Sequence, residues 1–378
     1  MTQTIRLSAQ LAFALSLTAA LALPREVEAC LFLSKVSEGT VGMQVTAARM
    51  IFTELDGRRE LAMQPRLKMN ISAQHEADDR LIAWVVPLPA GWGPGNASKI
   101  PDLISSLSKL QEVSAPVALR SASGGCGRGT PLHERERDLE GWPGMGRDWS
   151  LDEAPVSTVA EVEAWAAARG YLLSEADLED LGRREAAGEG FWPLELTVTW
   201  SDRGIPHPVP VALPEGVDPL VPLSLFSSCW GQGAVLLVYH VGEEGVVPAE
   251  IETLAVDDEE LRALAHTADL GVAERSLASS RGDLVAFLEY SNLPGRGIEW
   301  LPIGGRPGSQ WLTRLRLLPS PGQLPPSLTL VLDEGRGPVT GIVDLRPSPY
   351  GHGAALGSTP LQLVAGLALM MLWRRARR

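Results

Sequence analysis

Lysine is nearly missing from this chain of 378 residues: four, against 29 arginines. That imbalance, with heavy Ala, Leu, Gly and Pro usage, reads as coding bias and carries no structural message. The cysteines, Cys30, Cys126 and Cys229, number three, so at most one internal disulfide forms and one thiol is left over. Six histidines (His75, His133, His207, His240, His266 and His352) show no HExxH and no pair four residues apart with metal-ligand spacing. No G-x-S-x-G nucleophile elbow occurs, and no internal repeat is visible. Net charge is −13, and four arginines crowd the last five residues, so the rest is more acidic still. A body without clustered cations does not neutralise phosphates, which excludes nucleic acid as a partner.

Long apolar runs occur at the two ends. Arg6 precedes "LSAQLAFALSLTAALAL" (Leu7 to Leu23), and "VEA" then places small or apolar residues for cleavage after Ala29. This is the pattern of an export signal over residues 1–29. Glu28 stands where a lipoprotein signal has a small or apolar residue, which disfavours acylation of Cys30. At the other end, residues 333–360 are rich in Gly and Pro and read as a linker, with "VTGIVDL" as a candidate last strand. Leu361 to Trp373 follow, then Arg374, Arg375, Arg377 and Arg378. Such a 13-residue helix covers about 20 Å of a roughly 30 Å hydrocarbon core. Extension back to Ala354 lengthens it and includes Pro360, which the first turn of a helix tolerates. Trp373 suits the interface, and the arginines hold this end in the cytoplasm. Residues 361–378 are thus expected to be a membrane or sorting tail, with the body outside.

Between these ends the first half is β-rich. "VGMQVTAARMIF" predicts a strand with Val41, Met43, Val45, Ala47 and Ile51 on one side. Asp56-Gly57 predicts a hairpin turn, because both residues tolerate positive φ. The return strand carries Leu61, Met63, Leu67, Met69 and Ile71, with Pro65 marking an edge or bulge. "RLIAWVVPLP" predicts a buried strand. A helix is expected from Pro101 through Leu103, Ile104, Leu107 and Leu110, and Ser121 to Asp152 a long loop or domain seam.

The second half mixes types. Helices are predicted at "VAEVEAWAAARG", ended by Gly170, and at "SEADLEDLGRREAAGEG", opened by Ser174 and Asp177. Asp257 and Asp258 suit the start of another at "DDEELRALA". Strands are predicted at "LELTVTW" and "AVLLVYHV", and "QWLTRLRLL" with "SLTLVLDE" as a closing pair. The expected class is α+β, with a single body over residues 30–332.

The blocks stand in a particular order. A cysteine after the signal is followed by the hairpin, "IAWVVPLP", a helix leading to "SAPVALRSASGGC", "VAEVEAWAAARGYLLSE" and "WLTRLR". Together they resemble the bacterial exported family catalogued as domain of unknown function 2330, from about Cys30 to Glu334. "LFLSK" stands here where that family has glycine-rich text. The resemblance implies an envelope-located domain without an established activity, and carries over no active-site residue.

Other features are weighed on their own. "GGCGRG" (Gly124 to Gly129) has no lysine and reads as a loop around Cys126, not a phosphate cradle. Cys126 with His133 lacks an orienting group and suits a disulfide better than a nucleophile. The run "DDEE" is a solvated helix start without the alternation of a cation loop. Eleven tryptophans serve as core fillers, although Trp142 and Trp149 in "GWPGMGRDW" could stack on sugar rings. Three cysteine pairings stay open. Cys229 lies beside Phe226 and Trp230 and reads as a small buried hydrophobe, which favours Cys30 with Cys126, a pairing the resemblance also favours. Cys126 with Cys229, or an acylated Cys30, are the alternatives.

The expectation for function is a membrane-anchored extracytoplasmic module of the cell envelope, non-enzymatic, without cofactor or metal. It binds or scaffolds an envelope polysaccharide or protein. The alternative is an exported hydrolase acting on an envelope polymer, with His240 or His207 facing carboxylates.

Overall fold

In a computed structural model of the chain, the described residues are 31–34, 43–55, 58–69, 80–95, 110, 114–119, 130–131, 154–198, 205–206, 208–216, 218–226, 229–265, 270–281, 284–293, 310–319, 325–334, 337–340 and 342–344. Along the chain run β1 (Phe32–Ser34), β2 (Met43–Leu55), β3 (Arg58–Met69), β4 (Arg80–Leu88), β5 (Gly93–Pro94), β6 (Val117–Leu119) and β7 (Thr130–Pro131). Helices α1 (Val159–Arg169) and α2 (Glu175–Ala186) precede β8 (Gly190–Val198), β9 (Val209–Leu213), β10 (Leu220–Val221) and a 3-10 turn at Leu223–Leu225. Then come β11 (Trp230–Gly242), β12 (Val246–Pro248), β13 (Thr253–Ala255), α3 (Glu259–Ala265) and α4 (Leu270–Arg281). Strands β14 (Ala286–Asn292), β15 (Trp311–Leu317), β16 (Leu328–Leu332) and β17 (Ile342–Asp344) close the list. The fold is α+β, as expected.

The frame is a mixed eight-stranded sheet in the order β13-β14-β15-β11-β2-β3-β9-β5. Its centre is the parallel pair of β11 and β2. One face packs on a second sheet, β1-β4-β8, and the core between them contains Phe32, Met50, Trp84, Trp192, Phe226 and Leu236. The far face of the second sheet is covered by α1, through Val162, Trp165 and Ala166 against Leu31, Ala83, Val85 and Phe191. Strand β4 lies between both layers. Ile82, Trp84, Val86 and Leu88 enter the first core, while Ala83 and Val85 enter the other. A strand buried on both faces needs an unbroken apolar run, which explains the text "LIAWVVPL".

Local signals translate directly into structure. Leu55 pairs with Arg58 across β2 and β3, and Asp56-Gly57 between them lie outside the described residues. Ser174 and Asp177 cap α2 reciprocally, and Gly170 ends α1 at φ 76°, a left-handed position that favours glycine. Asp258 accepts from the Glu260 and Leu261 amides, so the acidic run starts α3. The candidate strand within the 333–360 linker is β17, which pairs with β6 in parallel. Pro65 pairs with Ala48 of β2 but lies beyond the part of β3 that pairs with β9, which ends at Met63, so on that side there is no ladder bond for its missing N–H to lose. Of the helix expected from Pro101, Leu110 is described, helical and buried.

Two expectations are corrected. Val45, Ala47 and Ile51 do not share a side: Val45 enters the large core, Ala47 meets Ile205 and Ile51 packs with Tyr239. The cause is a bulge between Val45 and Ala47, where the register against β3 shifts by one residue. One extra residue exchanges the faces of everything beyond it. Strands β15 and β16 exist but do not pair: β15 lies between β14 and β11, and β16 between β10 and β12. Helix α4 and strand β14 carry no signal used above and come from the structure.

Candidate functional site

The charged groups most deeply set in the described residues are on the central strands. In β15 the text "TRLRL" alternates: Leu315 and Leu317 enter the large core, and Arg314 and Arg316 project from the opposite side of the strand. Both arginines are buried. Arg314 lies over the Tyr239 ring, 5.8 Å from its centroid. Their counter-charges come from α4 and from a bulge in β14. The register of β14 against β15 shifts between Leu288 and Tyr290, and a bulge of this kind re-aims the extra side chain, Glu289. Glu289 Oε2 stands 2.5 Å from Arg314 Nε, and its Oε1 3.7 Å from Arg316 Nη1. Glu274 of α4 completes the set, with Oε2 3.1 Å from Arg316 Nε. Arg49 of β2 donates to Gln64 Oε1 at 2.7 Å, and Gln64 in turn donates to the Pro206 carbonyl at 2.7 Å.

Charge states follow from burial and partners. Loss of solvent pushes Arg49 and Arg316 down to about 9, still above neutral pH, so both stay cationic. Burial is the largest single influence on Arg314 and opposes its charge, but Glu289, Tyr239 and Glu274 together outweigh it and the net direction is upward. Two of these cations, Arg314 and Arg316, therefore meet two carboxylates directly in a low-dielectric interior, while Arg49 meets the Gln64 side chain. The arrangement is an ion network holding β14, β15 and α4 together; it sets no nucleophile beside a base.

Sequence reasoning missed this network. The visible signal was charge inside apolar strands, "LTRLRL" and "AFLEYS", where solvated faces are not expected on a central strand.

A smaller cluster lies at the C-terminal end of α1. Trp165 and Tyr171 stack at 5.7 Å, Arg169 covers Trp165 at 4.8 Å, and the Tyr171 hydroxyl donates to Glu195 at 2.8 Å. Burial, then the bond to Glu195, raises the Tyr171 phenol. Trp165 is itself buried, so this stack fastens the helix to β8.

His240, the histidine considered for a hydrolase, lies on β11 and is buried. Its ring sits against Gly242, where an added Cβ would fall 2.5 Å from the imidazole Cε1; glycine admits the close approach. Its Nδ1 has no hydrogen-bond partner among the described residues. Burial, then the Arg59 cation, pushes it down to about 4, so it is neutral at pH 7 and faces a cation.

This burial predicts a pH-dependent stability. The unfolded chain takes up a proton near pH 6.5, whereas the native ring stays neutral until about pH 4. The contribution is present in full above 6.5 and is lost as pH falls through 4, in total about 3 kcal/mol. Urea midpoints of His240→Phe should fall less steeply between pH 6.5 and 4 than those of the parent. Parallel curves would remove His240 from the account.

Cys229 is buried in the large core and is disulfide-bonded. Cys30 and Cys126, the pair expected from sequence, lie outside the described residues. Cys229 is as buried as expected but is not a free thiol.

The other residues singled out from sequence lie outside the described residues: Ala29, Cys30, Cys126, Leu361, Trp373, Arg374 and Arg375, with Trp142, Trp149 and the remaining five histidines. Among the described residues no helix is long and apolar enough to cross a membrane, and no group of three or more His, Cys, Asp or Glu is placed to hold a metal ion. No family model, curated protein or solved structure matches the chain.

Proposed function

We propose that this protein is an extracytoplasmic, membrane-anchored module of the cell envelope that binds or scaffolds an envelope polysaccharide or protein and performs no catalysis itself. The observation that carries the reading is the disulfide at Cys229. Such bonds persist in oxidising compartments and are rare in the cytosol, which agrees with an export signal over residues 1–29. The described arginines and glutamates of the interior support the non-enzymatic part, because they hold strands and helix to one another. His240, the histidine available to a hydrolase there, is neutral and faces Arg59. The apolar stretch from Leu361 to Trp373 and the arginines after it supply the membrane attachment.

Deleting Leu361 to Arg378 tests the anchor. The truncated protein is expected in the soluble extracytoplasmic fraction, with the full chain in the membrane pellet. A truncated chain that has lost its leader and still pellets with membranes would refute anchoring by the tail.

A further inference from the structure

The edge of the large core, at the end of β11, carries a row of polar side chains. The registers set His240 opposite Thr313 and Thr313 opposite Ser291, so all three project from one side of neighbouring strands. It is the side that brings Leu236 and Val238 of β11, and Leu315 and Leu317 of β15, into the core. The three polar residues are buried. Ser291 Oγ accepts from Trp311 Nε1 at 2.7 Å and lies 3.4 Å from Thr313 Oγ1. Thr313 Oγ1 accepts from the Val246 amide at 3.3 Å. The chain between β11 and β12 lies directly on this row. A Cβ at Gly242 would fall 2.5 Å from the His240 ring, and one at Gly245 would fall 2.7 Å from Ser291 Oγ and 2.8 Å from Trp311 Nε1. Both glycines are buried, whereas Glu243 and Glu244 between them are exposed. The Gly245 carbonyl also accepts from the Asp333 amide at 2.9 Å. These bonds close the corner over an imidazole whose Nδ1 has no partner among the described residues.

We propose that this corner is an acid-opened latch: a proton taken up by His240 lifts Gly242 to Val246 off the row while the core beneath stays packed. The charges around the ring set the direction. Arg59 of β3 is the described charge that acts on it. Strands β15 and β14 bring Thr313, Trp311 and Ser291, and β2 brings Phe52, none of which offers a counter-charge. In the closed corner an imidazolium would stand out of water beside a second cation. Opening gives it water and the carboxylates of Glu243 and Glu244, so the proton binds the open corner more tightly than the closed one. It shifts the equilibrium by that difference and no more. With the ring at its ordinary 6.5 in the open corner and at about 4 in the closed one, opening rises about 30-fold between pH 8 and pH 5. The device does not depend on what the module binds.

The test is hydrogen exchange, read by mass spectrometry on the full chain in detergent from pH 8 to pH 5 and corrected for the intrinsic rate at each pH. Protection of the peptide from Gly242 to Val247 should fall about 30-fold, while that of the β4 peptide, Arg80 to Leu88, holds. His240→Phe and His240→Gln take up no proton and should keep the corner's protection flat over the same range; either variant that folds suffices. Protection that does not change with pH in the parent overturns the latch. A fall that persists in the variants overturns it too, because another group then carries the proton, and an equal fall in β4 makes the opening global. Should neither variant fold, the parent's profile decides: a fall that sets in near pH 6.5 marks an imidazole, and one that begins only below pH 5 marks a carboxylate and overturns the proposal.

Discussion

Glu289→Gln is expected to lower the stability of the fold by about 3–5 kcal/mol. The side chain keeps its size, so packing is not what is lost. The substitution removes the carboxylate 2.5 Å from Arg314 and leaves that guanidinium buried without its main counter-charge. Desolvation of an unpaired ion in the interior is the dominant cost, and it exceeds the worth of any surface pair. The same argument predicts partial rescue. In Glu289→Leu with Arg314→Met both charges are gone, Arg316 keeps Glu274 at 3.1 Å, and an apolar pair of similar volume is close to neutral. Urea denaturation of the single and double variants checks both statements. Equal losses in the two would mean that the pair acts through shape and not through charge.

Trp84→Ala should cost a comparable amount, about 3–5 kcal/mol. Trp84 is fully buried and stands between Phe32 and Phe226, whose ring in turn meets Trp230 of β11 in the large sheet. Truncation loses the transfer energy of the indole and leaves a cavity that rigid neighbours close incompletely, besides about 1 kcal/mol of ring stacking. Leu172→Ala is the control. That side chain is 64% exposed, and its loss should stay within about 0.5 kcal/mol. A cost below about 1 kcal/mol for Trp84→Ala would contradict the placement of β4 between two cores.

What was legible in the amino-acid sequence shares one property: it is decided within a few residues. The pairing of β2 with β3 follows the backbone preferences of the Asp56-Gly57 text between them, Ser174 and Asp177 cap the helix they begin, and Gly170 ends the helix it follows. The apolar run of β4 announced burial on both faces for the same reason, since its eight residues carry the whole signal. The α+β class follows from summing such segments.

Tertiary structure decided the rest, and the reason is distance along the chain. Strand β15 has the same apolar alternation whether its neighbour is β16 or β11, so no local preference selects between them; packing of the large core does. The bulge after Val45 exchanges faces in β2, and with both faces buried the composition of the strand is indifferent to the exchange. Arg314 and Arg316 would read as a solvated edge, and became an interior network because Glu289, on a bulge of the neighbouring strand, and Glu274, from a helix 40 residues earlier, arrive at the same place. Cys229 shows the same limit at a single atom. Its apolar neighbours announced burial correctly, but whether its sulfur is bonded depends on parts of the chain far away in sequence.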